Sequence, residues 1–138
     1  MTYDNPFSLE GKTVLVTGAS SGIGKSIAIV CSRMGAKVII TGRNRERLQV
    51  TMSELVGSGH ISSICELTNS SELKEFVAKL PLLYGIVHCA GIGQRILCKQ
   101  LSEEDVDRVM DVNFKAPVLL QTELLKQKKV AKGASIVF

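Results

Sequence analysis

Tryptophan is absent, and aromatic residues make up only 4% of the 138 residues. The lysine group that would best suit a nucleic acid, Lys126, Lys128, Lys129 and Lys132, has no ring interleaved with it. A single-strand-binding surface needs stacking rings among its cations, so this group reads instead as a solvated helix end, where the macrodipole favours positive charge. The other basic residues are spread along the chain apart from Arg43, Arg45 and Arg47, and the net charge of +4 brings no nucleic-acid partner with it. Long apolar runs are missing too. None approaches the roughly 20 residues needed to cross a bilayer, so no membrane partner is expected. Met1 to Glu10 carries Asp4 and Glu10 but no basic cluster ahead of an apolar stretch, unlike a secretion signal, and a cytoplasmic location is the expectation. The four cysteines, Cys31, Cys65, Cys89 and Cys98, nowhere form a Cys-x-x-Cys pair, which argues for free thiols in a reducing compartment and against a metal site. What remains, 45% hydrophobic and 22% charged, is the composition of a soluble globular unit, and residues 1–138 leave no room for a second domain.

Strand and helix patterns alternate along that unit. Residues Met1 to Leu9 read as an arm, followed by a strand at Thr13 to Thr17. A helix is expected from about Gly22 to Met34, with Ile23, Ile27, Val30 and Met34 as its apolar stripe and Gly35 as its stop. Lys37 to Thr41 is an unbroken apolar run, as expected of a parallel strand covered on both faces. A second helix follows at about Arg45 to Val56, then a short strand at Ile61 to Glu66. The third helix, about Ser70 to Leu80, carries an Asn69/Glu72 capping-box spacing and a buried face of Leu73, Phe76, Val77 and Leu80. A fourth strand is expected at Gly85 to Cys89. Ser102 and Asp105 form a second capping-box pattern, and the triplet Glu103-Glu104-Asp105 reads as a helix start. That helix runs to about Lys128, kinked near Asn113 because Pro117 lacks a backbone donor. A fifth strand begins at Ala134 and reaches Phe138. Such alternation implies an α/β three-layer Rossmann fold with a parallel sheet of about five strands in the order 3-2-1-4-5.

Chemistry concentrates at the ends of the first and fourth strands, where that order reverses. The first strand runs into Thr17-Gly18-Ala19-Ser20-Ser21-Gly22-Ile23-Gly24 and then a helix. The first turn of a helix has unpaired N–H groups at the positive end of its dipole, which attract a phosphate. Gly18 permits the tight turn, Gly22 lets backbone approach a pyrophosphate, and Gly24 lets helix pack on strand. Ser20 and Ser21 add hydroxyl donors. The glycine spacing alone fits a ligand-free turn equally well, and it does not match a P-loop. At the second strand's end the chain reads Thr41-Gly42-Arg43-Asn44-Arg45, with no acid to meet a ribose 2′-hydroxyl. Arg43 offers a planar donor fork for a 2′-phosphate. Glu46 is the nearby acid, and Arg45 and Arg47 read as a solvated helix start. His88 reads as a core histidine, Cys89 as a small buried hydrophobe and His60 as a surface residue.

The loop Thr17 to Gly24, placed between strand and helix, closely resembles the cofactor loop of the short-chain dehydrogenase/reductase family. Further motifs follow in matching order from about Phe7 to Phe138. Glu66-Leu67-Thr68 resembles the family's Asp-x-Thr element, which holds adenine, with Glu for Asp. His88-Cys89-Ala90-Gly91 stands where the family has Asn-Asn-Ala-Gly, which lines the ribose. Asp111-Val112-Asn113-Phe114 resembles the segment carrying the Asn of the catalytic Asn-Ser-Tyr-Lys set. In the family this Asn helps hold a water in the proton relay; the alternative is an amide satisfying backbone freed by the kink. The resemblance thus implies Gly18, Ser20, Ser21, Gly22, Ile23, Gly24, Arg43, Glu66, Leu67, Cys89, Ala90 and Gly91 as cofactor-binding residues and Asn113 as catalytic.

The activity so implied is NADP-dependent hydride transfer between nicotinamide and a small-molecule carbonyl or alcohol, 3-oxoacyl-reductase-like or similar, with NADP favoured over NAD by Arg43. The family's complete members are homo-oligomers, dimers or tetramers. They continue past the point matched by Phe138, where their catalytic Ser and Tyr-x-x-x-Lys lie, and no Tyr-x-x-x-Lys occurs here. The chain is therefore expected to be the amino-terminal part of a reductase and inactive alone. The alternative is a non-catalytic NADP-binding module or a truncated product. On this reading the chain is not a self-sufficient folding unit: Ile136 to Phe138 would be partly uncovered, and Val109, Val112, Leu120 and Leu124 could face water.

Overall fold

The computed structural model describes residues 5–138, so the expected arm is described only from Asn5 onward. Five parallel strands, β1 (Thr13–Thr17), β2 (Lys37–Gly42), β3 (Ile61–Ile64), β4 (Leu83–Val87) and β5 (Val130–Val137), form one sheet in the order β3-β2-β1-β4-β5. The helices are α1 (Gly22–Arg33), α2 (Arg45–Glu54), α3 (Ser70–Lys79), α4 (Glu103–Met110) and α5 (Ala116–Lys126). Alternate residues of the central strands feed two cores, as parallel strands covered on both faces must. Leu15, Ile39 and Ile86 join Leu73, Phe76 and Val77 of α3 and Leu120 and Leu124 of α5 on one face. Val14, Val16, Val38 and Ile40 meet Ala28 of α1 and Leu48 of α2 on the other. β4 begins two residues before the expected Gly85, and β5 four before Ala134, because the pairing of Leu83 with Val130 extends their ladder backwards through a register shift.

Three packing expectations are corrected. The buried face of α1 is Gly24, Ala28 and Ser32, whereas Ile23 and Val30 are exposed, Met34 lies at the surface and only Ile27 packs partly against the core. Small residues at four-residue spacing let the helix axis approach the sheet, so side-chain size, not hydrophobicity, selects this contact. Leu120 and Leu124 are fully buried against α3, and Val109 and Val112 are half-buried; the outward-facing large apolar residues of the α4–α5 segment are Val106, Met110, Phe114, Val118, Leu119 and Leu125. Lys129 is not a solvated cation: its Nζ donates to the carbonyls of Ala78 (3.0 Å) and Leu80 (2.7 Å), capping the carboxyl end of α3. Ile136, Val137 and Phe138 are partly exposed, as expected.

Capping chemistry follows the sequence in one case and departs from it in another. Ser102 and Asp105 form a reciprocal capping box at α4. Asn69 caps α3 through the N–H groups of Ser71 and Glu72, but the Glu72 carboxylate accepts from Glu66 N–H (3.0 Å) instead of closing the box. His60 is likewise more than a surface residue. Its Nδ1 accepts the N–H of Val38 (3.1 Å) and its Nε2 donates to Val56 C=O (2.9 Å), so the imidazole fills a place in the β2 ladder just before β3 begins. The kink near Asn113 is a π-turn over Asp111–Lys115, in which Ala116 N–H reaches back to Asp111 C=O. This wider turn accommodates Pro117, which has no N–H for Asn113 C=O and whose ring would crowd it in a regular helix.

Candidate functional site

A cleft of about 750 Å³ opens at the carboxyl ends of β1 and β4. Its floor is the loop between β1 and α1, and Gly18 and Gly24 explain how that loop closes. Gly18 has φ +63°, and a Cβ there would lie 2.7 Å from both Ala90 Cα and Cys89 O. A Cβ on Gly24 would overlap Gly18 O. The first glycine therefore lets the loop after β4 come alongside, and the second lets α1 start directly above it. Gly22 has φ +57° with no atom within 4 Å of a Cβ, and it is not among the residues lining the cleft; its need is conformational.

Two buried threonines that the sequence reading passed over fasten this floor. Thr17 Oγ1 accepts the N–H groups of Cys89 and Ala90, both at 3.0 Å, and donates to Val87 C=O at 3.4 Å, joining the ends of β1 and β4 through one hydroxyl. Thr51 Oγ1 donates to Ala19 C=O (2.9 Å) and so ties α2 to the glycine loop. Ser21 occupies the N-cap of α1 but makes no capping hydrogen bond, and the first turn holds no acidic residue. The positive end of α1 is thus uncompensated where it meets the cleft, an arrangement suited to an anion.

Of the thirteen residues singled out above, eleven line the cleft: Gly18, Ser20, Ser21, Ile23, Gly24, Arg43, Glu66, Leu67, Cys89, Ala90 and Gly91. Asn113 is not among the lining residues. Its Oδ1 accepts Ile92 N–H (2.8 Å) and its Nδ2 donates to Ile92 C=O (2.9 Å), so the amide clamps the loop after β4 rather than serving backbone freed by the π-turn. Arg47, read as solvated, lines the cleft with Asn44, which caps α2 by accepting Arg47 N–H (2.9 Å). Its place in the first turn of the helix that follows Arg43 was the available signal. The acid beside Arg43 is not Glu46 but Glu66, whose Oε2 lies 3.8 Å from Arg43 Nη1.

Cys89 is half-buried on the cleft wall, not a buried hydrophobe. Cys65, also on that wall, is buried, and burial, with smaller effects of the Glu72 and Glu66 charges, pushes its thiol up to about 11, leaving it protonated at neutral pH. His88 is half-buried outside the cleft, stacked on Phe138 at 4.6 Å with its Nε2 3.1 Å from Gln121 Oε1. Burial lowers its pKa, opposed by the Gln121 hydrogen bond, and its Nδ1 faces no acceptor for a second proton. In the unfolded chain an imidazole protonates near 6.5; in the fold it resists, so stability present above that pH is lost as pH falls through the lowered value. Chemical denaturation between about pH 7 and 5 is expected to show this loss, and His88→Asn to flatten it.

A sequence profile described as short chain dehydrogenase matches residues 12–138. A 3-oxoacyl-(acyl-carrier-protein) reductase FabG of Rickettsia felis is 39% identical over 119 residues, covering 86% of this chain and 49% of that protein. An uncharacterized oxidoreductase of Thermotoga maritima is 34% identical, with 94% and 53% covered. Among solved structures, a dehydrogenase/reductase from Sinorhizobium meliloti superposes with a TM-score of 0.81 at 31% identity, covering 87% of this chain and 50% of that one. The short chain dehydrogenase from Shigella flexneri gives 0.79 at 31%, covering 89% and 52%. The chain spans about half the length of the curated relatives it matches. Profile, relatives and folded neighbours agree with the strand order and the glycine turn at its reversal: this chain belongs to the short chain dehydrogenase family.

Proposed function

We propose that the cleft binds NADP and that the chain is the dinucleotide-holding part of an oxidoreductase acting on a carbonyl or alcohol. The single observation that carries the reading is the meeting of an uncompensated α1 N-terminus with a guanidinium, Arg43, on the rim of one cleft. A pyrophosphate would take the N–H groups at the start of α1 and the hydroxyls of Ser20 and Ser21. Arg43, joined by Arg47, would hold the 2′-phosphate, a role for which no carboxylate stands at the end of β2. The cradle fits such a group, since the positions where Gly18 and Gly24 lack a Cβ are filled by neighbouring backbone and the cleft above them stays open. When bound, the cofactor supplies hydride to a carbonyl or accepts it from an alcohol.

What the chain's own residues do is bind and orient. Thr17 holds Cys89 and Ala90 and Asn113 holds Ile92, so the loop Cys89–Ile92 is fastened at both ends and the ribose would meet a fixed wall. Proton delivery to a carbonyl oxygen needs a donor tuned near neutrality. The only tyrosine among the described residues, Tyr84, lies in β4 away from the cleft. Substrates of the 3-oxoacyl, steroid, sugar and small-ketone classes all remain compatible with the reading.

Fluorescence titration with NADPH, followed by an NADPH-oxidation assay with a panel of ketones, tests the proposal. Saturable binding without turnover by residues 1–138 is the expected result. Turnover by these residues alone would contradict the account of the missing proton donor, and failure to bind would contradict the cofactor assignment.

A further inference from the structure

We infer that Glu66 is a specificity-determining residue that competes with the cofactor's 2′-phosphate for Arg43, an inference that rests on the NADP reading above. The juxtaposition comes from two separate stretches of chain, the end of β2 and the turn after β3. Glu66 Oε1 is occupied by its own turn, accepting the hydroxyl of Thr68 at 2.9 Å and its N–H at 3.4 Å. The turn is itself held at the first turn of α3 by the Glu66 N–H bond to Glu72. This leaves Oε2 turned toward the guanidinium of Arg43, 3.8 Å away on the cleft rim. Both side chains line the cleft, so an incoming phosphate must share or displace this pairing. Arg47 lines the same cleft and, among the described residues, has no carboxylate within ion-pair distance. The rim therefore carries two cations and one anion, and the anion moderates its attraction for a 2′-phosphate.

The length of the side chain matters. Aspartate, one methylene shorter, would withdraw its carboxylate from Arg43. Glutamine would keep an oxygen for the Thr68 hydroxyl and remove the charge. The test is calorimetric titration of the purified full chain with 2′,5′-ADP, which carries the 2′-phosphate, and with 5′-AMP, which does not. Glu66→Gln is expected to bind 2′,5′-ADP about two- to fivefold more tightly than the parent, the scale of losing one exposed opposing charge, and Glu66→Asp, which keeps the charge but draws it back from Arg43, to fall between the two, with 5′-AMP changed by less than about twofold. The advantage of Glu66→Gln should shrink as salt is raised, because the rim is solvent-exposed. Equal weakening of both nucleotides would overturn the inference by showing that Glu66 acts on the adenine. No change in either would overturn it as well. A parent chain that binds neither nucleotide would instead overturn the NADP reading itself.

Discussion

Gly24→Ala is expected to destabilise the protein by about 3 kcal/mol or more, lowering the thermal midpoint by roughly 10 °C or preventing folding outright. The new methyl would occupy the space of Gly18 O and come within 2.8 Å of Gly18 C and 3.1 Å of Thr17 O. These are backbone atoms of a loop already tied to β4 by Thr17 and to α2 by Thr51, so none can turn aside as a side chain would. Relief requires lifting α1 from the sheet and separating Ala28 and Ser32 from their contacts. Gly22→Ala is the contrasting control. Unlike Gly24 it needs a left-handed backbone, φ +57°, but nothing stands within 4 Å of the added atom, so only the conformational cost of roughly 1–2 kcal/mol applies. Urea denaturation of the two variants side by side separates packing from backbone strain. A loss at Gly24→Ala no larger than that at Gly22→Ala would show that α1 moves off the glycine loop at little cost and that the close approach is not what Gly24 is needed for.

Arg43→Ala is expected to weaken NADP binding by about 1.5–3 kcal/mol, roughly ten- to a hundredfold, and to leave NAD binding nearly unchanged. The side chain is mostly exposed and makes no contact that supports the core, so the fold should survive the substitution. A charge-assisted hydrogen bond to a 2′-phosphate is lost while every contact to the shared part of the two cofactors is kept. The exposed pairing with Glu66, at 3.8 Å, is too weak to shift stability noticeably. Titration calorimetry with both dinucleotides reads the difference directly. Equal losses for NADP and NAD would mean that Arg43 acts on the adenine or the pyrophosphate and that cofactor choice lies elsewhere, with Arg47 the next candidate.

The parts of this molecule that depend on local chemistry could be read in one dimension. Apolar runs bounded by turns gave the strands, the glycine loop and Gly35 gave the ends of α1, Ser102 and Asp105 gave the cap of α4, and Pro117 gave the break near Asn113. Each rests on interactions within a few residues, or on a periodicity that one strand or helix carries by itself. The order β3-β2-β1-β4-β5 was legible for a related reason: right-handed crossovers leave few ways to pair alternating strands and helices. Contacts between distant segments were not legible. Whether α1 buries Ile23 or Ala28 depends on how near the sheet lies, and that distance is set by Gly24 against Gly18, not by hydrophobicity along the helix. Thr17, Thr51 and His60 look like ordinary polar residues until the fold brings Cys89, Ala19 and Val38 within hydrogen-bond reach, 72, 32 and 22 residues away. The same holds at the rim, where the acid facing Arg43 is not Glu46, three positions on, but Glu66, carried there by the pairing of β2 with β3. Polar contacts act over a few ångströms, and only the tertiary fold decides which distant residues come that close.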